Sequence, residues 1–175
     1  MVLQKYNICI KIKFIIKTEV KQDSMKILID ADACPVVDET VKLAYKYSLE
    51  CIIMCDTSHI IERAGCRTIL CDKGSDSVDF RLVNLIEGSD IVITQDYGLA
   101  AMCMSKKARV INQNGLIYTD KNIETLLYTR FVNKKIRMAG KHTKGPSKRT
   151  KEQDEAFIKN LTLILEEAKN DRNIE

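Results

Sequence analysis

The chain has 175 residues, of which 45% are apolar and 30% charged, and its formal net charge is +4. This length fits one domain of ordinary size, and the apolar content is high enough for a substantial core. The longest apolar runs span about four residues, which excludes a membrane-spanning segment of roughly 20. The first 24 residues have no extended apolar core and no cleavage site of small residues, unlike a signal peptide. We therefore expect a cytoplasmic protein.

Short apolar runs with strand character alternate along the chain with segments of helical period. Strands are predicted at 26–30, 50–55, 68–71, 91–94 and 109–111. Helices are predicted at 35–47, 59–64, from 75 or 77 to 87, 98–107, 122–137 and 152–169. Such alternation is typical of βαβ units with right-handed crossovers. The pattern predicts a three-layer α/β domain with a mostly parallel central sheet of about five strands.

Five aspartates follow these strands at their predicted carboxyl ends: Asp30, Asp32, Asp76, Asp79 and Asp96. In a doubly wound sheet these ends share one crevice. Neighbouring carboxylates raise each other's pKa unless a cation compensates, and hard divalent ions prefer oxygen ligands. The pattern therefore predicts a metal site. The alternative for each aspartate taken alone is a helix cap or a solvated acid near a helix N-terminus. That alternative does not explain why the acids cluster at one edge.

Positive charge is concentrated near the C-terminus. Residues 25–132 contain 12 Lys and Arg against 15 Asp and Glu, a net charge of −3, whereas residues 133–151 contain eight Lys and Arg and no acid. A basic arm beside an acidic site suits a phosphodiester substrate, because the arm neutralises backbone phosphates. The alternative is a solvated linker. Aromatic residues on which single-stranded bases could stack are few, the candidates being Tyr97, Tyr118 and Tyr128.

The seven cysteines are odd in number and irregularly spaced, which indicates reduced thiols rather than a disulfide framework. Four of them, Cys51, Cys55, Cys66 and Cys71, could be taken as zinc ligands. They flank predicted strands instead of tight turns, and cysteine in a strand behaves as a small buried hydrophobe. We expect no zinc.

The most specific motifs are Asp30-Ala31-Asp32-Ala33-Cys34-Pro35-Val36, and Val92-Ile93-Thr94-Gln95-Asp96 with Leu99-Ala100. Further motifs are Gly74-Ser75-Asp76-Ser77-Val78-Asp79, Asn112-Gln113-Asn114-Gly115, Tyr118-Thr119, and Gly145-Pro146 with Asp154 and Phe157. From Met25 to about Ala168 the chain resembles the uncharacterised bacterial YaiI/YqxD family, which looks like a branch of the PIN-like nuclease folds.

This resemblance implies a metal-dependent nuclease that hydrolyses RNA or DNA phosphodiesters with one or two Mg²⁺ or Mn²⁺ ions. We expect Asp30, Asp32 and Asp96 to be catalytic, with Asp30 and Asp96 as the principal metal ligands. Asp32, Asp76 and Asp79 would complete the metal shell or orient metal-bound water, and Thr94 would tie the loop after the fourth strand to the site. Nucleic acid, RNA rather than DNA, is the expected partner, and no membrane partner is expected. The predicted nucleic-acid-binding residues are Lys141, Lys144, Lys148 and Arg149.

Two other classes remain open. A phosphatase of haloacid dehalogenase type also begins with a strand and an Asp-x-Asp pair, one aspartate serving as nucleophile and the other as general acid. Thr57 or Ser58, Lys73, and then Asp76 with Asp79 supply its later parts in order, but the interval is short for the usual core and cap, and Asp96 has no role in it. The third class is a catalytically silent RNA-binding module.

The predicted organisation has three parts. Residues 1–24 form an N-terminal extension outside the core, 25–140 the PIN-like domain, and 141–175 a basic linker and a C-terminal helix packing on the same domain. Met25 stands directly before the first strand and is the expected natural start. The alternative is an additional edge strand at 7–16, which the Ile and Phe content there would suit.

Overall fold

A computed structural model of the chain describes residues 25–32, 34–71, 77–139 and 148–172. In these ranges five strands are present: β1 Lys26–Asp30, β2 Glu50–Asp56, β3 Arg67–Cys71, β4 Ile91–Ile93 and β5 Arg109–Ile111. The five helices of the same ranges are α1 Val37–Lys46, α2 Ser77–Leu85, α3 Tyr97–Ser105, α4 Asp120–Met138 and α5 Lys151–Arg172. The predicted extension at 1–24, with its possible edge strand, lies outside the described residues.

The strands form one sheet in the order β3-β2-β1-β4-β5, and every neighbouring pair is parallel. Strand β1 is central, with Leu28 paired to Ile52 of β2 on one side and to Val92 of β4 on the other. The predicted α/β class with a parallel central sheet of five strands is confirmed. The central strands are apolar along their length because helices cover both faces of a parallel sheet.

Side chains alternate between the two faces of the sheet and divide the core in two. Ile27 and Ile29 face the layer formed by α1 and α5, where Phe157 is fully buried. Leu28 faces the layer that contains α2, α3 and the start of α4, where Leu82 is fully buried. The described domain therefore has three layers, and the C-terminal helix α5 is part of one of them.

The helix predicted at 59–64 is wrong, because these residues form a loop between β2 and β3. The Asp56 side chain accepts hydrogen bonds from the backbone N–H groups of Ser58 and His59, which turns the chain as it leaves β2. The Thr68 hydroxyl then donates to the Ile61 carbonyl at 2.8 Å. A segment of six residues gains too few helical hydrogen bonds to offset nucleation, so these tertiary bonds decide its shape.

None of the helices in the described ranges is both long and apolar enough to cross a membrane.

Candidate functional site at the carboxyl edge of the sheet

The candidate site lies where β1 and β4 end side by side. The helices that follow these strands pack on opposite faces of the sheet, α1 on one and α3 on the other. Their departure in opposite directions opens a crevice at the carboxyl edge, which is the usual ligand position in open α/β sheets. The crevice encloses about 410 Å³ and is lined by Asp30, Asp32, Asp79, Gln95, Asp96, Tyr97 and Arg130.

Thr94 links the ends of the two strands. Its hydroxyl donates to Asp30 Oδ2 at 2.7 Å and accepts a hydrogen bond from the Asp96 backbone N–H at 3.0 Å. The residue is 1% exposed, and the Tyr118 hydroxyl donates to its carbonyl at 3.4 Å. Buried polar groups of this kind must be hydrogen-bonded, so the rotamer of Thr94 is fixed and the carboxylate of Asp30 is fixed with it.

The surroundings of Asp30 disfavour its charged form. Burial, with smaller contributions from the negative charges of Asp79, Asp32 and Asp96, raises its pKa to about 6, and the hydrogen bond from Thr94 acts in the opposite direction. Carboxylates influence one another in this way when they lie close together. The three separated acidic segments converge on this one crevice.

Asp96 has the opposite balance, because hydrogen-bond donors surround it. Its Oδ1 accepts from the N–H groups of Gly98 at 2.6 Å and Leu99 at 3.2 Å, which makes Asp96 the N-cap of α3. The same oxygen accepts from Arg130 Nη1 at 2.8 Å. Burial alone would raise the pKa of Asp96, but these hydrogen bonds hold it below its usual range. The Asp96 carboxylate therefore caps helix α3 and also forms an ion pair with Arg130.

Asp32 and Asp79 complete the acidic lining of the crevice. The Asp32 Oδ1 accepts a hydrogen bond from the Asp56 backbone N–H at 3.1 Å, which ties the loop after β1 to the end of β2. Asp79 lies in the first turn of α2 and faces Asp30 and Arg130 closely enough to act on the pKa of each. Four of the five predicted acids thus line one crevice.

The remaining predicted residues have different positions. Asp76, Lys141 and Lys144 lie outside the described residues. Within the ranges that the structure describes, no three His, Cys, Asp or Glu side chains are arranged to hold a metal ion as they stand. Lys148 is exposed. The roles predicted for these residues in metal and nucleic-acid binding stay predictions.

Arg149 is held by the protein itself. Its Nε donates to Asp154 Oδ1 at 2.6 Å, its Nη1 to Asn114 Oδ1 at 3.0 Å, and its Nη2 to the Gln113 carbonyl at 2.7 Å. The loop that it clamps is packed tightly on α5: Gly115 has φ +84°, and a Cβ there would lie 2.7 Å from the backbone of Ala156. Arg149 therefore fixes a loop, and a nucleic acid would have to compete for its guanidinium.

Arg130 is the site residue that the sequence did not predict. It lies seven residues after the buried Ile123 of α4, so both residues are on the same side of the helix. The signal that could have identified Arg130 is its place on the same helix face as a buried apolar residue, Ile123. Its neighbours in the crevice are far away in the chain, and Asp96 is 34 residues distant.

Four of the six described cysteines are buried, Cys51, Cys55, Cys71 and Cys103, and all six are free thiols. Cys51 and Cys55 pack on the core layer of α1 and α5, whereas Cys71 packs on the opposite layer. Cys71 therefore lies across the sheet from Cys51 and Cys55, so these thiols do not share one zinc site. Cys34 lies close enough to the crevice for the charge of Asp30 to act on its thiol. Burial, with a smaller contribution from Asp30, raises the pKa of the Cys34 thiol to about 11.

Fold and site together define a doubly wound parallel α/β domain with an acidic crevice at its topological switch point. The family model described as "Uncharacterized BCR, YaiI/YqxD family" matches residues 28–167. The chain belongs to the YaiI/YqxD family.

Similar proteins occur in several bacteria. A UPF0178 protein of Exiguobacterium sibiricum is 50% identical over 143 residues, which cover 82% of this chain and 98% of that relative. A UPF0178 protein of Ruminiclostridium cellulolyticum is 52% identical over 141 residues, covering 81% of this chain and 92% of that relative. A third, from Clostridium kluyveri, is 43% identical over 141 residues, covering 81% and 93%. No solved structure matches the chain.

Proposed function

We propose that this protein is a metal-dependent nuclease of PIN-like type, whose acidic crevice hydrolyses phosphodiester bonds of RNA or DNA. The observation that carries the proposal is the excess of carboxylate at Asp30, where burial and three neighbouring acids raise the pKa to about 6. An ionised cluster of this kind is stable only with a compensating cation. Perturbed carboxylates in a crevice are also typical of functional sites.

The donor set suits Mg²⁺ or Mn²⁺, because both ions prefer carboxylate and water oxygens. Asp30, Asp32 and Asp79 would hold the ion, with Asp76 as a further ligand and Asp96 joining when Arg130 leaves it. The ion would supply a nucleophilic water at neutral pH and would polarise the phosphoryl oxygens.

The side chains of the crevice have distinct tasks in this proposal. Thr94 fixes the orientation of Asp30 through its 2.7 Å hydrogen bond, so that the carboxylate points into the crevice without reorganisation. Asp96 positions Arg130 at the rim by the 2.8 Å ion pair. A guanidinium presents several N–H donors in one plane, which suits it to a phosphate group. Arg130 would therefore receive the scissile or the adjacent phosphate.

The test is turnover of a labelled single-stranded RNA by the purified full chain in Mn²⁺, Mg²⁺ and EDTA. We expect metal-dependent cleavage that Asp30→Asn reduces at least 100-fold, since each lost charge interaction at a reacting centre costs about 10²–10³. Asp120→Asn, which alters an exposed aspartate at the start of α4, is the matched control and should cleave like the parent. Cleavage that survives Asp30→Asn would refute the assignment.

The phosphatase stays as a second candidate on one observation. The Asp56 backbone N–H donates to Asp32, which belongs to the Asp-x-Asp segment. Thr57 and Ser58, the candidate hydroxyl residues of a phosphatase, follow Asp56 directly in the chain. A phosphoenzyme formed from a small monoester and lost in Asp30→Asn would favour it. An intact protein that binds RNA without cleaving it in Mn²⁺ would favour the silent binding module.

A further inference from the structure

The face of α4 that packs on the core changes character halfway along the helix. In the first half Ile123 is buried, and Leu126 and Leu127 pack against the same core layer. Residues three, four or seven apart share one side of a helix, so this side continues as Arg130 and Lys134. The apolar side therefore becomes a basic one at the point where Arg130 reaches the crevice.

Two aromatic side chains are exposed on the second half of α4, Phe131 beside Lys134 and Tyr128 on the side of the helix away from Arg130. Tyr128 is 68% exposed and Phe131 is 54% exposed, and their spacing of three residues puts them on adjoining positions of the helix. The Lys135 Nζ lies 4.5 Å from the centre of the Phe131 ring. From residue 125 to residue 151 the sequence contains no Asp or Glu. The second half of α4 thus presents aromatic rings and cations and has no acid of its own, and among these cations Arg130 is paired with Asp96.

We infer that a single strand of nucleic acid binds along the second half of α4, with bases on Tyr128 and Phe131 and phosphates on Lys134 and Lys135. The inference rests on the proposed function and deepens it by naming the form of the substrate and its path. Aromatic rings can stack only on bases that are not already stacked in a duplex. Around the helix, Phe131 lies between Lys134 and Lys135, and Lys135 lies between Phe131 and Tyr128, so each ring has a cation beside it for the neighbouring phosphate. Arg130 joins this surface, here called the α4 track, to the crevice.

The track has a direction as well as a composition. Residues 128 to 138 span about 15 Å of helix at 1.5 Å per residue. The end nearer to Tyr128 is also nearer to Arg130, which lines the acidic crevice. A strand bound along this part of α4 would therefore lead into the crevice.

The test is equilibrium binding measured by fluorescence anisotropy with a labelled 20-residue oligouridylate, using the full chain in EDTA so that no cleavage occurs. We expect tighter binding of the single strand than of a duplex of equal length. Tyr128→Ala and Phe131→Ala should each raise Kd about tenfold, as loss of one stacked base does. Tyr45→Ala is the matched control, because Tyr45 is 88% exposed on α1, across the sheet from α4.

The cations are tested by the salt dependence of the same binding. Replacing Lys134 and Lys135 together with Gln should reduce the slope of log Kd against log salt by about 1.4, since each phosphate contact with a single strand contributes about 0.7. The matched pair is Lys106 and Lys107, two adjacent exposed lysines at the end of α3. Their replacement with Gln should leave the slope unchanged. All these side chains are exposed, and unchanged melting temperatures would show that the variants fold.

The inference is overturned if Tyr128→Ala and Phe131→Ala bind the single strand like the parent, or if the duplex binds as tightly as the single strand. It is also overturned if these variants lose binding to vesicles of phosphatidylcholine and phosphatidylserine while their RNA affinity is unchanged. Failure of the proposed function is a separate result: RNA would bind in an α4-dependent way, but Mn²⁺ would not cause cleavage. The variant Asp30→Asn separates the two, because it should lose cleavage and keep the binding.

Discussion

The balance of charged side chains differs between the two ends of the central strands β1 and β4. At the amino edge the Lys26 Nζ contacts Asp90 Oδ2 at 2.9 Å and Glu87 Oε2 at 3.0 Å. Asp90 also accepts the backbone N–H groups of Lys26 and Glu87, each at 2.8 Å. At the carboxyl edge Asp30, Asp32, Asp79 and Asp96 meet one half-exposed arginine. The buried charges of Lys26 and Asp90 are thus matched at the amino edge, whereas carboxylates are in excess at the carboxyl edge.

The pKa directions express the same difference. Burial alone would lower the pKa of Lys26, but its hydrogen bonds to Asp90 and Glu87 raise it above the usual value. Burial and, to a smaller extent, the neighbouring acids raise the pKa of Asp30 to about 6. A matched pair stabilises the ionised form of its members, whereas an excess of one sign destabilises it. The amino edge is therefore a structural ion pair, whereas the carboxyl edge carries the excess negative charge that the proposed cation would neutralise.

The largest effect is expected from breaking the matched edge. Asp90→Asn should lower the free energy of unfolding by about 3 kcal/mol, because it removes the buried partner of a buried ammonium group. Urea unfolding at pH 7 measures this change. Glu87→Gln is the control and should cost less than about 1 kcal/mol, since the Glu87 side chain is 66% exposed. If the two variants lowered the free energy of unfolding equally, burial of Asp90 would not explain the stability of this ion pair.

At the unmatched edge the sign of the effect should reverse. Asp30→Asn should raise the free energy of unfolding in EDTA at pH 7 by about 3 kcal/mol, because each pH unit between the folded and unfolded pKa is worth about 1.4 kcal/mol. The folded pKa of Asp30 is about 6, against an ordinary value of 3.8. The folded state therefore binds this proton more tightly, and wild-type stability falls relative to the variant as pH rises from about 4 to 6.

Unfolding curves of both proteins at pH 4, 5, 6 and 7 measure this dependence. The difference between them should be small at pH 4 and should reach a plateau above pH 6. A variant that is less stable than the parent at pH 7 in EDTA would contradict the assignment of electrostatic strain to Asp30.

The smallest effect on stability is expected at Arg130. Arg130→Gln should change the free energy of unfolding by less than about 1 kcal/mol, because the pair with Asp96 is partly exposed on both sides. The same change should increase the affinity for Mn²⁺ in the crevice, since it removes the local positive charge and frees one oxygen of Asp96. Calorimetric titration measures the affinity. Weaker Mn²⁺ binding by Arg130→Gln would show that this arginine does not compete with the cation.

Local sequence signals predicted the sheet and much of the acidic crevice. Strands β1 and β5 have the predicted bounds, because each is an apolar run between polar residues. The convergence of Asp30, Asp32, Asp79 and Asp96 followed from the topology of parallel strands, which puts their carboxyl ends at one edge. The start of α4 was predicted two residues late, because the Asn122 side chain accepts the Thr119 N–H and extends the helix.

The rest depended on contacts between residues that are distant in the chain. The loop after β2 is shaped by hydrogen bonds of Asp56 and Thr68, which no helical periodicity reveals. Arg130 reaches Asp96 across 34 positions, and Arg149 reaches the Gln113 carbonyl across 36. A basic residue on a helix or in a loop looks the same in the sequence whether it binds solvent, a ligand or the protein itself.

The central claim is that the excess of carboxylate at the carboxyl edge binds a divalent cation. Calorimetric titration of the full chain with Mn²⁺ at pH 7 tests it most directly, with Asp30→Asn and Glu87→Gln as the paired variants. We expect one or two ions to bind to the parent and to Glu87→Gln, and we expect that binding to be lost in Asp30→Asn. Absence of binding to the parent, or equal binding by Asp30→Asn, would contradict it.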